Sequence, residues 1–325
     1  MTYAVAMYDI VTTIETLPNE LLITLFEYIS GHDLYNAFLN LNSRFNSIIT
    51  VVKNLHFTLE EDWDSKESII PFFASHISKL IIKHDEPIDF SLYPNIRSLK
   101  LCMPTGNQCN AIEPCLLSNL EHLCISNLYF SDNSEQLCRL IFSTSFSRLQ
   151  TCQIDKLTLN DDHRYSSFSL RQLTISPSAW KSNMYKQIFD ACPNLTNLQI
   201  IRLQNISFKL PSNLTCSHTS LRHLYIHFHS IGNEGYNHID WLLSNLANLQ
   251  SFTLIIDENE TKMKFPFDLF ANLLTEHVPY LTDFNAKIPI NNVLFKPLHR
   301  LFSHIKVRKS QSQDSKMYLL ISSEI

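Results

Sequence analysis

The sequence predicts an α/β protein in which three short N-terminal helices precede a solenoid of short parallel strands with outer helices. Apolar residues recur at helical spacing between residues 14 and 52, and a different short apolar pattern recurs from about residue 76 onward. The composition agrees, because 45% of the 325 residues are hydrophobic and 18% are charged, the balance of an ordinary folded protein.

The N-terminal segment 14–52 carries three amphipathic patterns. Pro18 suits an opening helical turn, Gly31 is expected to end the first helix, and Asp33 and Ser43 are expected to cap the next two. Helices this short are marginal alone, so the rest of the chain or another protein must cover them. The apolar positions are Leu21, Leu22, Leu25, Phe26 and Ile29; Leu34, Ala37, Phe38 and Leu41; and Phe45, Ile48, Ile49 and Val52.

The same segment resembles the F-box motif. The resemblance lies in Leu17-Pro18, Glu20-Leu21-Leu22, Leu25-Phe26, Tyr28-Ile29, Asp33-Leu34 and Arg44-Phe45, and Phe45 stands where the family often has tryptophan. In that family the motif binds a Skp-type adaptor, which links it to a cullin-based ubiquitin ligase. The alternative is a helical cap that packs only on its own chain. The resemblance implies an adaptor-binding surface formed or supported by Leu17, Pro18, Leu21, Leu22, Leu25, Asp33 and Leu34.

Beyond residue 76, apolar residues recur at the first, fourth and sixth places of a short pattern. The intervals between first positions run from 19 to 32 residues, and most lie in the range of about 20–29 residues that is typical of solenoid repeats. The nine copies are Ile77-Leu80-Ile82, Ile96-Leu99-Leu101, Leu120-Leu123-Ile125, Leu149-Cys152-Ile154, Leu170-Leu173-Ile175, Leu195-Leu198-Ile200, Leu221-Leu224-Ile226, Leu249-Phe252-Leu254 and Leu281-Phe284-Ala286.

These copies resemble the irregular leucine-rich repeats that often follow an F-box, in which each unit adds one strand and one outer helix or turn. The asparagine or cysteine expected three places after the sixth position is mostly absent, and an unrelated α/β or β-rich domain is the alternative. Outer helices are predicted at Ser134–Phe142, Asn183–Ala191, His238–Leu246 and Pro266–Glu276.

The sequence therefore predicts four segments. They are a tail at 1–13, an F-box domain at 14–52, a linker at 53–75 containing Trp63 and the helix-like Ser68–Ser75, and a leucine-rich-repeat horseshoe at 76–325. Met317–Ile321 is predicted to supply a closing strand, because a solenoid needs a capped end.

The repeats predict a polar surface on one side of the sheet. In a strand the third and fifth pattern residues face away from the buried fourth and sixth, which places them on the inner, concave face. Polar residues of this kind suit a protein or peptide partner. The candidate substrate-binding residues are Lys100, His122, Gln153, Gln172, Gln199, His223, Tyr225 and His227.

No catalytic motif stands out, so the chain is predicted not to be an enzyme and to need no cofactor. Its four glycines cannot build a phosphate loop, a dinucleotide fingerprint or a nucleophile elbow, and no paired-cysteine zinc signature is present. The exception worth weighing is the strand 223–229, where His223, His227 and His229 share one face. A metal-dependent enzyme is the alternative there, against a polar part of the repeat surface.

The charge of the chain limits the classes of partner that it is expected to bind. The net charge is −5 and the N-terminal segment has no Lys or Arg before Arg44, which argues against nucleic acid and anionic membranes. Residues 1–13 lack the features of a secretory signal, so a cytoplasmic or nuclear location is expected. These features and the resemblance together predict a substrate-recognition subunit of a Skp–cullin–F-box ubiquitin ligase. The alternative is a leucine-rich-repeat scaffold without a role in ubiquitylation.

Overall fold

The computed structural model describes residues 14–60, 71–127, 134–155, 166–176, 183–203, 217–230, 233–258, 267–290, 308–311 and 317–324. The predicted tail 1–13, Trp63 and the first part of the predicted helix-like stretch 68–75 lie outside these residues.

Three short helices open the described chain: α1 Asn19–Phe26, α2 Gly31–Phe38 and α3 Ser43–Ile49. Their caps differ from those predicted. Ser30 Oγ accepts the backbone N–H of Asp33 at 3.1 Å, and Asn42 Oδ1 accepts that of Phe45 at 2.9 Å. Gly31 therefore begins α2 instead of ending α1, because a serine directly before it satisfies the first free N–H groups.

In the described residues, a sheet of twelve strands follows these helices. Its spatial order is β1 to β10 in sequence order, then β12 and β11. Strands β1 to β10 are parallel, and β12 runs antiparallel to both β10 and β11. The strands are β1 Leu55–Leu59, β2 Ile77–Ile82, β3 Ser98–Cys102, β4 His122–Ser126, β5 Thr151–Ile154, β6 Gln172–Ile175, β7 Asn197–Leu203, β8 His223–Ser230, β9 Ser251–Glu258, β10 Asp283–Ile290, β11 Arg308–Gln311 and β12 Met317–Glu324.

This order confirms the predicted α/β class and the parallel sheet, and it is solenoid-like because each strand lies beside its predecessor in the chain. All nine predicted copies of the pattern coincide with strands β2 to β10. The predicted closing strand Met317–Ile321 forms the first part of β12.

Helices connect several neighbouring strands. They are α4 Gly106–Asn110, α5 Ser134–Ile141, α6 Met184–Ala191, α7 Asn233–Ser244 and α8 Phe267–His277. The last four correspond to the predicted outer helices, with α7 beginning five residues earlier than predicted. The short helix α4 was not predicted. It begins with a capping box between Thr105 and Gln108 and lies between β3 and β4.

One hydrophobic core runs through the described chain. The first, fourth and sixth pattern positions are buried in every predicted copy, from Ile77 to Ala286. The same core includes Leu22 and Phe26 of α1, Leu34 of α2 and Phe45 of α3. The N-terminal helices thus share their buried side with the repeats.

Strand β1 lies inside the stretch that the sequence predicted as a linker. Leu55–Leu59 pairs in parallel with β2, so it extends the sheet by one strand. Val52, Leu55 and Phe57 are fully buried and fill the first, fourth and sixth positions of the repeat pattern. The repeats therefore begin immediately after α3, and no joint separates the two regions here.

Hydrogen bonds join the repeats at the amino-terminal edge of the sheet, which is formed by the residues just before each strand. The carbonyl of Arg97 accepts the N–H groups of both Glu121 and His122, and the carbonyl of Arg171 accepts those of Thr196 and Asn197. Side chains add to this pattern, because asparagines one place before the first pattern position donate to a carbonyl of the preceding repeat. These bonds are Asn95 to Ser75 (2.7 Å), Asn119 to Pro94 (3.3 Å), Asn194 to Phe168 (2.9 Å) and Asn248 to Thr219 (3.0 Å).

Candidate partner-binding surfaces

Helix α1 has two apolar faces. Leu22 and Phe26 on one face are fully buried in the core. On the other, Leu21 and Leu25 are 52% and 44% exposed, and Tyr28 just beyond the helix is 83% exposed. These three residues are spaced i, i+4 and i+7, so they form one stripe on the outside of the protein.

The predicted adaptor-binding residues divide into three groups by burial. Pro18, Leu21, Leu25 and Asp33 are exposed, and Leu17 is half-buried against the core. Leu22 and Leu34 are fully buried, so they can only support such a surface from beneath. The buried pair faces the core because α3 packs against both helices and β1 packs against α2.

Three further large apolar side chains of the N-terminal segment are exposed. Ile14, Leu41 and Val51 are each at least 40% exposed, and all three lie in the N-terminal segment. We call the set Ile14, Leu21, Leu25, Tyr28, Leu41 and Val51 the N-terminal apolar surface. Single exposed apolar residues are ordinary in folded proteins, whereas six within 38 residues make this segment a candidate for contact with another protein.

Arg44 of α3 holds the segment that leads into α1. Its guanidinium donates to the carbonyls of Glu15 and Leu17, and its Nε donates to Asn19 Oδ1 at 2.8 Å. Asn42 adds a bond from its Nδ2 to Glu15 Oε1 at 3.2 Å. The position of Leu17 and Pro18 beside α1 is therefore fixed by side chains of α3 and of Asn42, which caps it.

The repeats present two continuous rows of mostly polar residues. The strand register aligns the third pattern residues in one row, from Lys79 through His122 and His223 to Asp283. The fifth residues form a second row, which includes Lys100, Gln153, Gln199 and Tyr225. The eight predicted substrate-binding residues all lie on this side of the sheet, and each is exposed or half-buried.

The histidine-rich strand β8 has the predicted alternation. Leu224, Ile226 and Phe228 are buried, while His223, Tyr225, His227 and His229 lie on the opposite face. His227 Nε2 lies 2.7 Å from Asp257 Oδ2 of β9, and His229 Nδ1 lies 3.9 Å from the same oxygen. Sequence reasoning did not identify this carboxylate, because the pairing of β8 with β9 decides which residues meet.

The metal alternative for this strand finds no support in the described part of the chain. Among those residues, no group of three or more His, Cys, Asp or Glu side chains is arranged to hold a metal ion. The His227–Asp257 contact is an ordinary imidazole–carboxylate pair that links two strands. It belongs to the polar face of the repeats.

Four cysteines lie in environments that favour the thiol over the thiolate. Burial raises the pKa of Cys109 to about 11, and it also raises the pKa values of Cys152 and Cys192. Burial raises the pKa of Cys124 as well, although the neighbouring Lys100 opposes that rise. These four thiols are thus protonated at neutral pH and are weak nucleophiles.

No protein-family model and no curated protein sequence matches this chain. Within the described residues, every helix is too short or too polar to cross a lipid bilayer.

Proposed function

We propose that this protein is a substrate-recognition subunit of a Skp–cullin–F-box ubiquitin ligase. Its N-terminal helices would bind a Skp-type adaptor, and the polar face of the repeats would hold a target protein for ubiquitylation. The chain itself would make no covalent bond, since its contribution is to raise the effective concentration of the target near the conjugating enzyme.

The observation that carries the proposal is the exposed outer face of α1. The buried face, with Leu22 and Phe26, already supplies what the core needs from this helix. The outer residues Leu21 and Leu25 do not belong to that core and remain about half exposed, although they are large and apolar. A protein partner that covers this stripe accounts for them, in a segment whose residues resemble the F-box motif.

The rival function is a repeat scaffold whose helices only cap the first strand. The continuous core favours it, because α2 packs against β1 and the rings of Tyr35 and Phe73 form an edge-to-face pair with centroids 6.4 Å apart. Capping explains why the inner faces of the helices are apolar and buried. It does not explain why the residues of the N-terminal apolar surface are apolar and exposed, so we favour adaptor binding.

Co-expression with a Skp-type adaptor separates the two functions. Leu21→Asp is expected to lose the buried area of one leucine, about 1.5–3 kcal/mol, which weakens binding by about 10- to 150-fold. Leu92→Asp is the matched control, because Leu92 is also 52% exposed but lies before β3 among the repeats. Adaptor binding that survives Leu21→Asp, or that is absent from the parent protein, would exclude this proposal.

A further inference from the structure

A groove lined by polar and charged residues runs along the amino-terminal edge of the sheet. One cavity of about 320 Å³ is lined by residues that include Lys53, His76, Asn95, Arg97 and Asn119. A second cavity of about 490 Å³ is lined by Glu121, Ser147, Arg148, Gln150, Ser169 and Arg171. None of the described lining residues of either cavity is Phe, Tyr or Trp.

Two side-chain contacts cross the boundary between these cavities. Arg148 Nη1, from the second cavity, donates to Asn119 Oδ1 of the first at 3.0 Å. Arg97 Nη1, from the first, lies 3.5 Å from Glu121 Oε1 of the second. The cavities are therefore adjacent parts of one depression, which we call the amino-terminal groove and which runs past the starts of strands β1 to β6.

The charge of the groove is opposite to that of the whole protein. Lys53, Arg97, Arg148 and Arg171 line it, all with exposed side chains, and Glu121 is the one carboxylate among its described lining residues. The chain as a whole carries a net charge of −5. A local excess of cations in an acidic protein attracts a negatively charged ligand to that place.

The two arginines of the larger cavity are held in position. Arg148 is anchored on Asn119, and Arg171 Nη1 donates to the carbonyl of Asn194 at 3.1 Å. Each of these bonds uses one of the five N–H donors that a guanidinium presents, and the planar fork matches a carboxylate. Anchoring lowers the conformational entropy that the side chain would lose on binding.

We propose that the amino-terminal groove binds an acidic, extended peptide segment of a partner protein. From β1 to β6 there are five strand steps, and at roughly 4.8 Å each they span about 24 Å. An extended chain covers that distance with about seven residues. The carboxylates of such a segment would meet Arg97, Arg148 and Arg171 in turn.

A peptide fits the groove better than a nucleic acid does. Single-stranded nucleic acids bind through stacking of bases on aromatic side chains as well as through cations. The described lining has cations and hydrogen-bonding groups but no Phe, Tyr or Trp platform. This binding goes beyond the proposed function, because it needs neither an adaptor nor ubiquitylation.

Fluorescence anisotropy with the full chain and a fluorescein-labelled octapeptide of glutamate tests the groove directly. Replacing both cavity arginines, as Arg148→Gln with Arg171→Gln, is expected to weaken binding about tenfold or more, because charge-assisted bonds are lost. The matched control removes the same charge elsewhere, as Arg139→Gln on α5 with Arg202→Gln at the far end of β7. Circular dichroism verifies that each variant is folded.

The expected result is binding that weakens with salt, is lost in the groove variant and stays within twofold in the control. If the groove variant does not fold, Lys53→Gln with Arg97→Gln tests the other half of the same groove. Absence of binding by the parent chain, equal losses in both variant pairs, or equally tight binding of a uridine octamer would overturn the inference. The adaptor test involves a different surface, so either proposal can fail alone.

Discussion

A Cβ atom on Gly31 would lie 2.3 Å from Cδ2 and 2.4 Å from Cε2 of Phe57, so helix α2 and strand β1 touch at a residue that has no side chain. Both residues are buried. Real Cβ atoms do not approach a ring carbon this closely, so any larger residue at position 31 must move the helix or the ring.

We expect Gly31→Ala to destabilise the protein by about 1–3 kcal/mol, the usual cost of overpacking a core. The helix propensity of alanine acts in the opposite direction by up to about 1 kcal/mol. Urea unfolding measures the difference, and Phe57→Leu in the same chain is expected to restore part of the loss by making room. A Gly31→Ala protein as stable as its parent would show that this contact is not tight.

The repeat strands could be predicted from the sequence because the residues that must be buried recur at the first, fourth and sixth positions of each copy. The same spacing at Val52, Leu55 and Phe57 was missed, since Val52 also continues the apolar face of α3 with Ile48 and Ile49. A residue that serves two elements is ambiguous in sequence. Only the pairing of β1 with β2 resolves it.

The exposed stripe on α1 was only partly predictable. Helical spacing identified Leu21, Leu22 and Leu25 together, but which of them is buried depends on the direction from which α3 packs on α1. The amino-terminal groove was not predictable, because Arg148 and Asn119 are 29 positions apart and meet only across a repeat boundary. Polar contacts between repeats do not affect the spacing of the apolar residues, so that spacing cannot reveal them.

The position of β1 predicts that the repeats cannot be cut free at residue 76. A fragment of residues 76–325 would lack β1 and would expose the unpaired edge of β2 together with the core residues Leu80 and Ile82. Exposed edges pair with other chains, so we expect this fragment to aggregate. The longer chain of residues 14–325 is the control, and size-exclusion chromatography distinguishes them. A monomeric, cooperatively unfolding 76–325 fragment would contradict this role for β1.

Arg44 provides a test of whether the adaptor surface depends on its support. We expect Arg44→Ala to release Glu15 and Leu17, to speed hydrogen exchange of the backbone before α1, and to weaken adaptor binding. Arg44→Lys is expected to restore little of the adaptor binding, because a single ammonium group cannot reproduce the guanidinium that donates to three acceptors.

Arg139→Ala is the control for Arg44, since Arg139 makes an exposed pair with Glu135 on α5. Exposed pairs of this kind contribute about 0–1 kcal/mol, so this variant should bind the adaptor as the parent does. If Arg44→Ala changed neither exchange nor binding, the three hydrogen bonds would have no positioning role.

Two buried histidines predict loss of stability in mild acid. His238 donates to or accepts from Tyr185 Oη at 2.7 Å, and burial lowers its pKa to about 3. His218 Nδ1 accepts the N–H of Leu221, so its Nε2 carries the proton that is donated to the Cys192 carbonyl. Burial lowers the pKa of His218 too, partly offset by that carbonyl. Protonating Nδ1 would break the bond from Leu221, so the fold requires the neutral imidazole.

A histidine in the unfolded chain titrates near pH 6.5. Below that pH the unfolded state binds more protons than the folded state. The free energy of unfolding therefore decreases as the pH is lowered, by up to about 1.4 kcal/mol per pH unit for each buried histidine. The loss from His238 continues until about pH 3. We expect Tyr185→Phe with His238→Leu to flatten the dependence between pH 6 and 5, measured by urea unfolding. Tyr185→Phe alone keeps the imidazole and should retain the parent slope, whereas equal slopes in all three proteins would show that His238 does not cause the acid sensitivity.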